Sequence, residues 1–151
     1  MSPAAGLRAF GRVYAGWAFS QRFFRDERYR DLGYSTIEEL LRAWEDDHTT
    51  WDANDLLAKL WTWQHADVSA NAEFEGDLAR ALGTIQARTI VMPCDQDLYF
   101  TLDDNRAEAA HIPNAELRPF VSAYGHCAGA PGRFPAEMQF LTAAIRDLLG
   151  D

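Results

Sequence analysis

Only two stretches of this chain read as β-strands, and both lie in its last half: Thr89 to Met92 and Ala115 to Phe120. The first is a continuous apolar run rich in β-branched residues, the pattern of a parallel strand covered on both faces. It breaks at Pro93 and delivers Asp95 and Asp97 into the following loop. Open α/β sheets bind ligands just beyond the carboxyl ends of their strands, so acids placed there are functional candidates. The second run leads to Tyr124-Gly125-His126, and its Pro119 lacks a ladder donor, which predicts an edge strand. His126 follows Asp97 by 29 residues, room for one helix and one strand. Two parallel strands send their following loops to the same edge of the sheet. An acid from the first loop can therefore reach the histidine of the second. A carboxylate on one imidazole nitrogen fixes the tautomer and leaves the other nitrogen free to act as a general base.

Before Gly83 the spacing is helical throughout. Leu7, Phe10, Tyr14 and Trp17 predict an amphipathic helix from Gly6 to Phe19, weakened by Gly11 and Gly16. Phe23 and Phe24 sit among Arg22, Arg25, Arg28 and Arg30, a grouping that suggests an anion site. Asp26, Glu27 and Asp31 balance it, so a solvated helix face is the expectation. Ser35 and Glu38 form a capping-box pattern ahead of a helix reaching about Trp44. Glu45-Asp46-Asp47-His48 reads as a solvated charge run, because consecutive side chains on a helix diverge. Asp52 or Asn54 can cap a helix from about Asp55 to His65, with Leu56, Leu57, Leu60 and Trp61 facing inward and an Asp55–Lys59 pair outside. His65 is a candidate pocket residue, with packing the more common role. Short helices are expected from Gly76 to Leu82, stopped by Gly83, and from Asp104 to His111, capped by Asp103. After a loop from Cys127 to Pro135, a last helix carries Met138, Leu141, Ile145 and Leu148 on one face.

With 48% hydrophobic and 25% charged residues the chain reads as globular, of single-domain size. A net charge of −9 argues against a nucleic-acid partner. No apolar run is long enough to span a membrane, and no basic start followed by an apolar core suggests a secretory signal. Cys94 and Cys127 make neither a disulfide framework nor a zinc site, so a reducing cytoplasm is the expected compartment.

The acid-to-histidine order matches the α/β-hydrolase arrangement of nucleophile, acid, histidine. Cys94-Asp95-Gln96-Asp97-Leu98-Tyr99-Phe100, Asp103-Asp104-Asn105 and Tyr124-Gly125-His126 resemble the α/β-hydrolase superfamily, specifically its homoserine O-acetyltransferase-like branch. Trp51-Asp-Ala-Asn-Asp-Leu-Leu57 and Trp61-Thr-Trp-Gln-His65 resemble the helical lid of that branch. The resemblance implies that Asp97 is the triad acid and His126 the triad base, with Asp95 as the fallback acid. It implies an incomplete α/β-hydrolase fold: a lid-like region over residues 1–83, then a β-α-β-α unit with two parallel strands over 84–151. It further implies a small-molecule acyl donor and acceptor, no bound cofactor, and an acyl-CoA as a co-substrate known in the family.

The nucleophile is missing from this pattern. The five serines, Ser2, Ser20, Ser35, Ser69 and Ser122, all lie outside any Gly-x-Ser-x-Gly turn, and no oxyanion-hole loop is recognisable. Cys94 and Cys127 are poorly placed as substitutes. The expectation is therefore the carboxyl-terminal portion of an acyltransferase or esterase, inactive by itself. Its open strand edge should favour self-association or a complementary amino-terminal fragment. The alternative is a non-catalytic binding module derived from the same fold.

Overall fold

The computed structural model describes residues 3–150. Its elements run α1 (Pro3–Ala18), α2 (Gln21–Arg25), α3 (Ile37–His48), α4 (Ala53–His65), α5 (Leu78–Leu82), β1 (Thr89–Val91), α6 (Leu102–Ala109), β2 (Ala115–Leu117) and α7 (Pro135–Leu149). Short 3-10 turns occupy Arg28–Leu32 and Gly125–Gly129. The two strands pair in parallel, with Thr89 opposite Ala115 and Val91 opposite Leu117. Both are shorter than their hydrophobic runs. Pairing nevertheless continues past them: Arg118 N–H donates to Val91 O, Phe120 N–H to Pro93 O, and Asp95 N–H to Phe120 O. Pro119 falls between two of these donors, where a missing N–H costs no bond to β1. This extended ladder carries the acidic loop alongside the chain that leads to His126.

Strand β1 is only half-buried along its length, where coverage on both faces was expected. Among the described residues only two strands pair, and α7 packs against β1. Asp147 of α7 pairs with both Arg88, just before β1, and Arg118, just after β2.

Helices α1 and α3 make the main helical contact. Helix α1 runs through Gly11 and Gly16 without a break. Gly11 is where α3 comes closest: a Cβ there would lie 2.6 Å from Trp44 O and 2.9 Å from the His48 ring. Arg12 of α1 bridges Glu38 and Glu45 of α3, each at 2.6 Å. The tetrad Glu45 to His48 is therefore not a uniformly solvated run. His48 is buried, its Nδ1 2.7 Å from Trp44 O, and it stacks on Trp44 and Trp51.

The caps correct several expected boundaries. Thr36, not Ser35, caps α3, accepting from Glu39 N–H, and that helix runs on to His48. Thr101, not Asp103, caps α6, and Asp77 caps an α5 that starts at Leu78. A side-chain oxygen caps only from an extended backbone with the first-turn N–H groups in reach. In each correction the capping residue meets that condition. Asp52 caps α4 as one of the two expected choices.

The larger core cluster joins Ala18, Phe19, Phe23, Tyr29 and Leu40 to Cys127 and Phe134. Phe19 and Phe23 stack with ring centres 4.0 Å apart, and so do Tyr124 and Phe134. Phe23 is thus a core residue. The arginines around it pair locally, Arg22 with Asp26, Arg28 with Asp31 and Arg30 with Glu27. The aromatic and basic segment is a helix face over a core whose charges are balanced locally, as expected.

Helix α4 departs most from expectation. Leu57 is 64% and Trp61 62% exposed, and no residue of α4 is buried. Lys59 lies over the Trp51 ring at 5.1 Å instead of pairing with Asp55. His65 is exposed and stacks on Trp61. Leu56, Leu57 and Leu60 of the predicted inner stripe line an open groove, because among the described residues no neighbouring element closes on them. Ile145 of α7 is likewise exposed.

Cys94 and Cys127 are both free and buried. Burial pushes each thiol up to about 11. Two thiols should be recovered by titration of freshly purified, denatured protein. Alkylation of the folded protein at mildly alkaline pH should be slow, because the reactive thiolate is scarce. Recovery of fewer than two thiols, or rapid modification in the folded state, would contradict this.

Candidate active site

The loop after β1 is held by its own acid. Asp97 Oδ1 accepts from Tyr99 N–H at 2.7 Å and Phe100 N–H at 3.2 Å. These local bonds leave Oδ2 pointing across to the second loop, where it lies 3.1 Å from His126 Nδ1. The carboxylate is 10% and the imidazole 29% exposed, so the acid is screened while the ring keeps a face to solvent. An ionised carboxylate can only accept, so Nδ1 carries the proton in this contact, and in the neutral ring Nε2 then keeps its lone pair. That is the protonation state a general base needs.

Asp95, two residues earlier, is used differently. Its Oδ1 accepts from Ser122 N–H at 3.1 Å, and its Oδ2 accepts from the Gln96 amide at 3.1 Å. It braces the two loops against each other. The structure brings Asp97 to His126 and turns Asp95 to the backbone.

His126 lies in the 3-10 turn that begins at Gly125. Gly125 has φ +58, and a Cβ there would meet Ser20 N at 2.9 Å and Ala18 O and Gln96 O at 3.2 Å. Two other segments therefore close on this residue of the histidine loop: the α1–α2 junction and the acidic loop. Ser20 reinforces the junction, donating to Ala123 O at 2.6 Å while accepting from Phe23 N–H. Ser122 donates to Glu137 of α7 at 2.6 Å. None of this cross-bracing was anticipated from sequence; the only local signal for it is the glycine immediately before the histidine.

The hydroxyls of Ser20, Ser69 and Ser122 are each engaged away from His126. Ser2 lies outside the described residues. Among the described residues no cluster of His, Cys, Asp and Glu has the geometry of a metal site.

Beside the pair opens a groove of about 920 Å³, walled by Phe10, Val13, Tyr14 and Trp17 of α1, by Trp44 and His48 of α3, and by Leu56, Leu57, Leu60 and Trp63 of α4. Tyr99 closes one part of that wall. The same ring meets His126 edge-on, with centroids 4.7 Å apart. Phe100, the next residue, lies on His126 at 5.5 Å.

No family model matches the chain. It is 38% identical over 139 residues to an ethyl acetate hydrolase of Pseudomonas veronii, and 41% identical over 124 residues to a probable esterase of Corynebacterium glutamicum. These matches take in 91% and 82% of the chain but 38% and 35% of the relatives, so it spans little more than a third of their length. Among solved structures, the acetyl esterase MekB superposes with a TM-score of 0.91 at 37% identity, over 98% of this chain and 42% of that one. An acetylester hydrolase from Corynebacterium glutamicum gives 0.89 at 35% identity, covering 98% and 42%. Over nearly its whole length the chain has the fold of one portion of these esterase structures. The matching portion comprises the helices α1 to α5 and the two-stranded parallel unit with its acidic and histidine loops. No helix among the described residues is long and apolar enough to cross a membrane.

Proposed function

We propose that this chain supplies the acid and base of a serine esterase acting on short acetate esters. In this reading Asp97 holds His126 with Nδ1 protonated, and Nε2 takes the proton of a serine hydroxyl as its oxygen attacks the ester carbonyl. The proton then passes to the departing alkoxide, and a water activated in the same way releases acetate. The serine and the oxyanion donors belong to the remainder of such an enzyme, of which the relatives are the longer examples. The observation that carries the reading is the 3.1 Å contact between Asp97 Oδ2 and His126 Nδ1 at the carboxyl ends of two parallel strands. The substrate class follows the esterase relatives, two of which are named for acetyl ester cleavage. Residues 1–83 serve as a lid-like region over the α/β unit at 84–151. The exposed apolar side chains of α4 and the free strand edges favour self-association or seating on the remainder of the fold.

Acyl transfer from an acyl-CoA to homoserine would use the same acid and base, and the motif around Asp97 is what favours it. We place water first as the acceptor because the relatives are hydrolases.

The 151-residue chain alone should hydrolyse p-nitrophenyl acetate no faster than its His126→Ala variant. Substituted for the corresponding region of the Pseudomonas veronii hydrolase, it should support turnover that His126→Ala abolishes. Adding homoserine tells transfer from hydrolysis by its acylated product. Turnover by the isolated chain that depends on His126 would place the nucleophile within it. A folded chimera without turnover would favour the non-catalytic binding module.

A further inference from the structure

From the ring that lies between groove and imidazole, we infer that Tyr99 is a specificity-determining residue, walling His126 off from the apolar groove and so limiting the site to short acyl or alkyl groups. The inference rests on the ester-cleaving reading of Asp97 and His126. Three observations support it.

First, Tyr99 belongs to both places. Its ring lines the groove and meets the His126 ring edge-on at 4.7 Å, whereas neither Asp97 nor His126 is among the groove's lining residues. Second, the ring is fixed from several sides. Tyr14 lies 5.6 Å from it, Trp17 6.3 Å and Trp63 6.4 Å between ring centres, so α1 and α4 both press on it. Its own N–H is bonded to Asp97 Oδ1, which ties the wall to the acid that orients the base. Burial, then the neighbouring Tyr14, raises the Tyr99 phenol above its ordinary value, so the wall stays uncharged through neutral pH. Third, the space behind the ring is large and apolar. At about 920 Å³ it falls in the range of ligand cavities, and a short ester does not need it. Removing the ring would join that volume to the reaction centre.

The histidines report on the two compartments separately, because His48 lines the groove and His126 lies beyond Tyr99. Histidine ring signals of the 151-residue chain are to be followed by NMR during titration with octyl methyl ketone, an unreactive mimic of a long ester. In the unsubstituted protein the ketone should shift the His48 signal and leave that of His126 in place. Tyr99→Ala should make both signals move together, and Tyr99→Phe should behave as the original. Movement of His126 along with His48 in the unsubstituted protein, or no response at His48, overturns the proposal even if Tyr99→Ala fails to fold. So does a folded Tyr99→Ala in which His126 stays still. In an active chimera, Tyr99→Ala should raise the kcat/KM ratio of long to short acyl esters roughly tenfold or more, the scale set by a few methylenes in an apolar pocket. An unchanged ratio refutes it. The titrations need no turnover, so they fail or succeed independently of the esterase reading.

Discussion

In a chimera with turnover, Asp97→Asn should lower kcat by about 10⁴-fold while changing KM little, the effect expected when a triad acid becomes an amide. The substitution preserves the shape of the side chain. Its amide NH₂ can donate to Nδ1, which then favours the tautomer with the proton on Nε2, where the base must be empty. Oδ1 is the better acceptor of the two positions for the Tyr99 and Phe100 N–H bonds, so the amide oxygen will settle there and leave the NH₂ facing His126. Asp95→Asn is the informative comparison. That carboxylate braces Ser122 N–H and the Gln96 amide and is turned away from the imidazole bond that Asp97 makes. Its substitution should cost far less in kcat and show mainly as reduced thermal stability. Steady-state rates on p-nitrophenyl acetate for the two variants decide the assignment. Comparable losses, or a larger loss at Asp95, would transfer the role of triad acid to Asp95.

Gly125→Ala should destabilise the fold by about 3 kcal/mol, combining left-handed backbone strain of about 1–2 kcal/mol with overpacking against neighbouring backbone. The new Cβ would lie 2.9 Å from Ser20 N and 3.2 Å from Ala18 O and Gln96 O, and none of these is the flexible end of a side chain. Relief requires moving the α1–α2 junction or the acidic loop. Gly132→Ala separates the two contributions. Gly132 also has positive φ, +73, but nothing lies within 4 Å of its Cβ position, so only the strain of about 1 kcal/mol remains. Urea unfolding of both variants tests the difference. Equal losses would mean that the convergence on Gly125 yields readily. A larger loss at Gly125 should also disturb the His126 ring signal, since the next residue carries the imidazole.

The acid and histidine were legible in the sequence because parallel strands impose a simple rule: their following loops share one edge. Asp97 and His126 needed only the two strand runs and their spacing to be brought to the same place. Strand spacing did not say which of the two acids faces the imidazole; the family resemblance put Asp97 first and Asp95 as fallback, and Asp97 is the one in contact. Asp95 and Asp97 share a loop, and the choice follows from the Asp97 bonds to Tyr99 and Phe100 N–H and the Asp95 bond to Ser122 N–H. Helix identity was legible from 3.6-residue periodicity, yet several ends moved by one to four residues. Neighbouring Ser, Thr and Asp compete as caps, and the backbone at each position decides among them.

What the amino-acid sequence determined alone is thus local or periodic: helices before Gly83, two parallel strands after it, and an acid-then-histidine order at their ends. Tertiary structure decided the rest. The apolar stripe of α4 looks like a core face by composition, but burial depends on a partner surface, and here Leu57 at the groove and Trp61 outside it both remain exposed. Gly11 and Gly125 look alike as isolated glycines. One admits a helix crossing and the other admits two other segments closing on it, because only the approach of a distant backbone gives a missing Cβ its meaning.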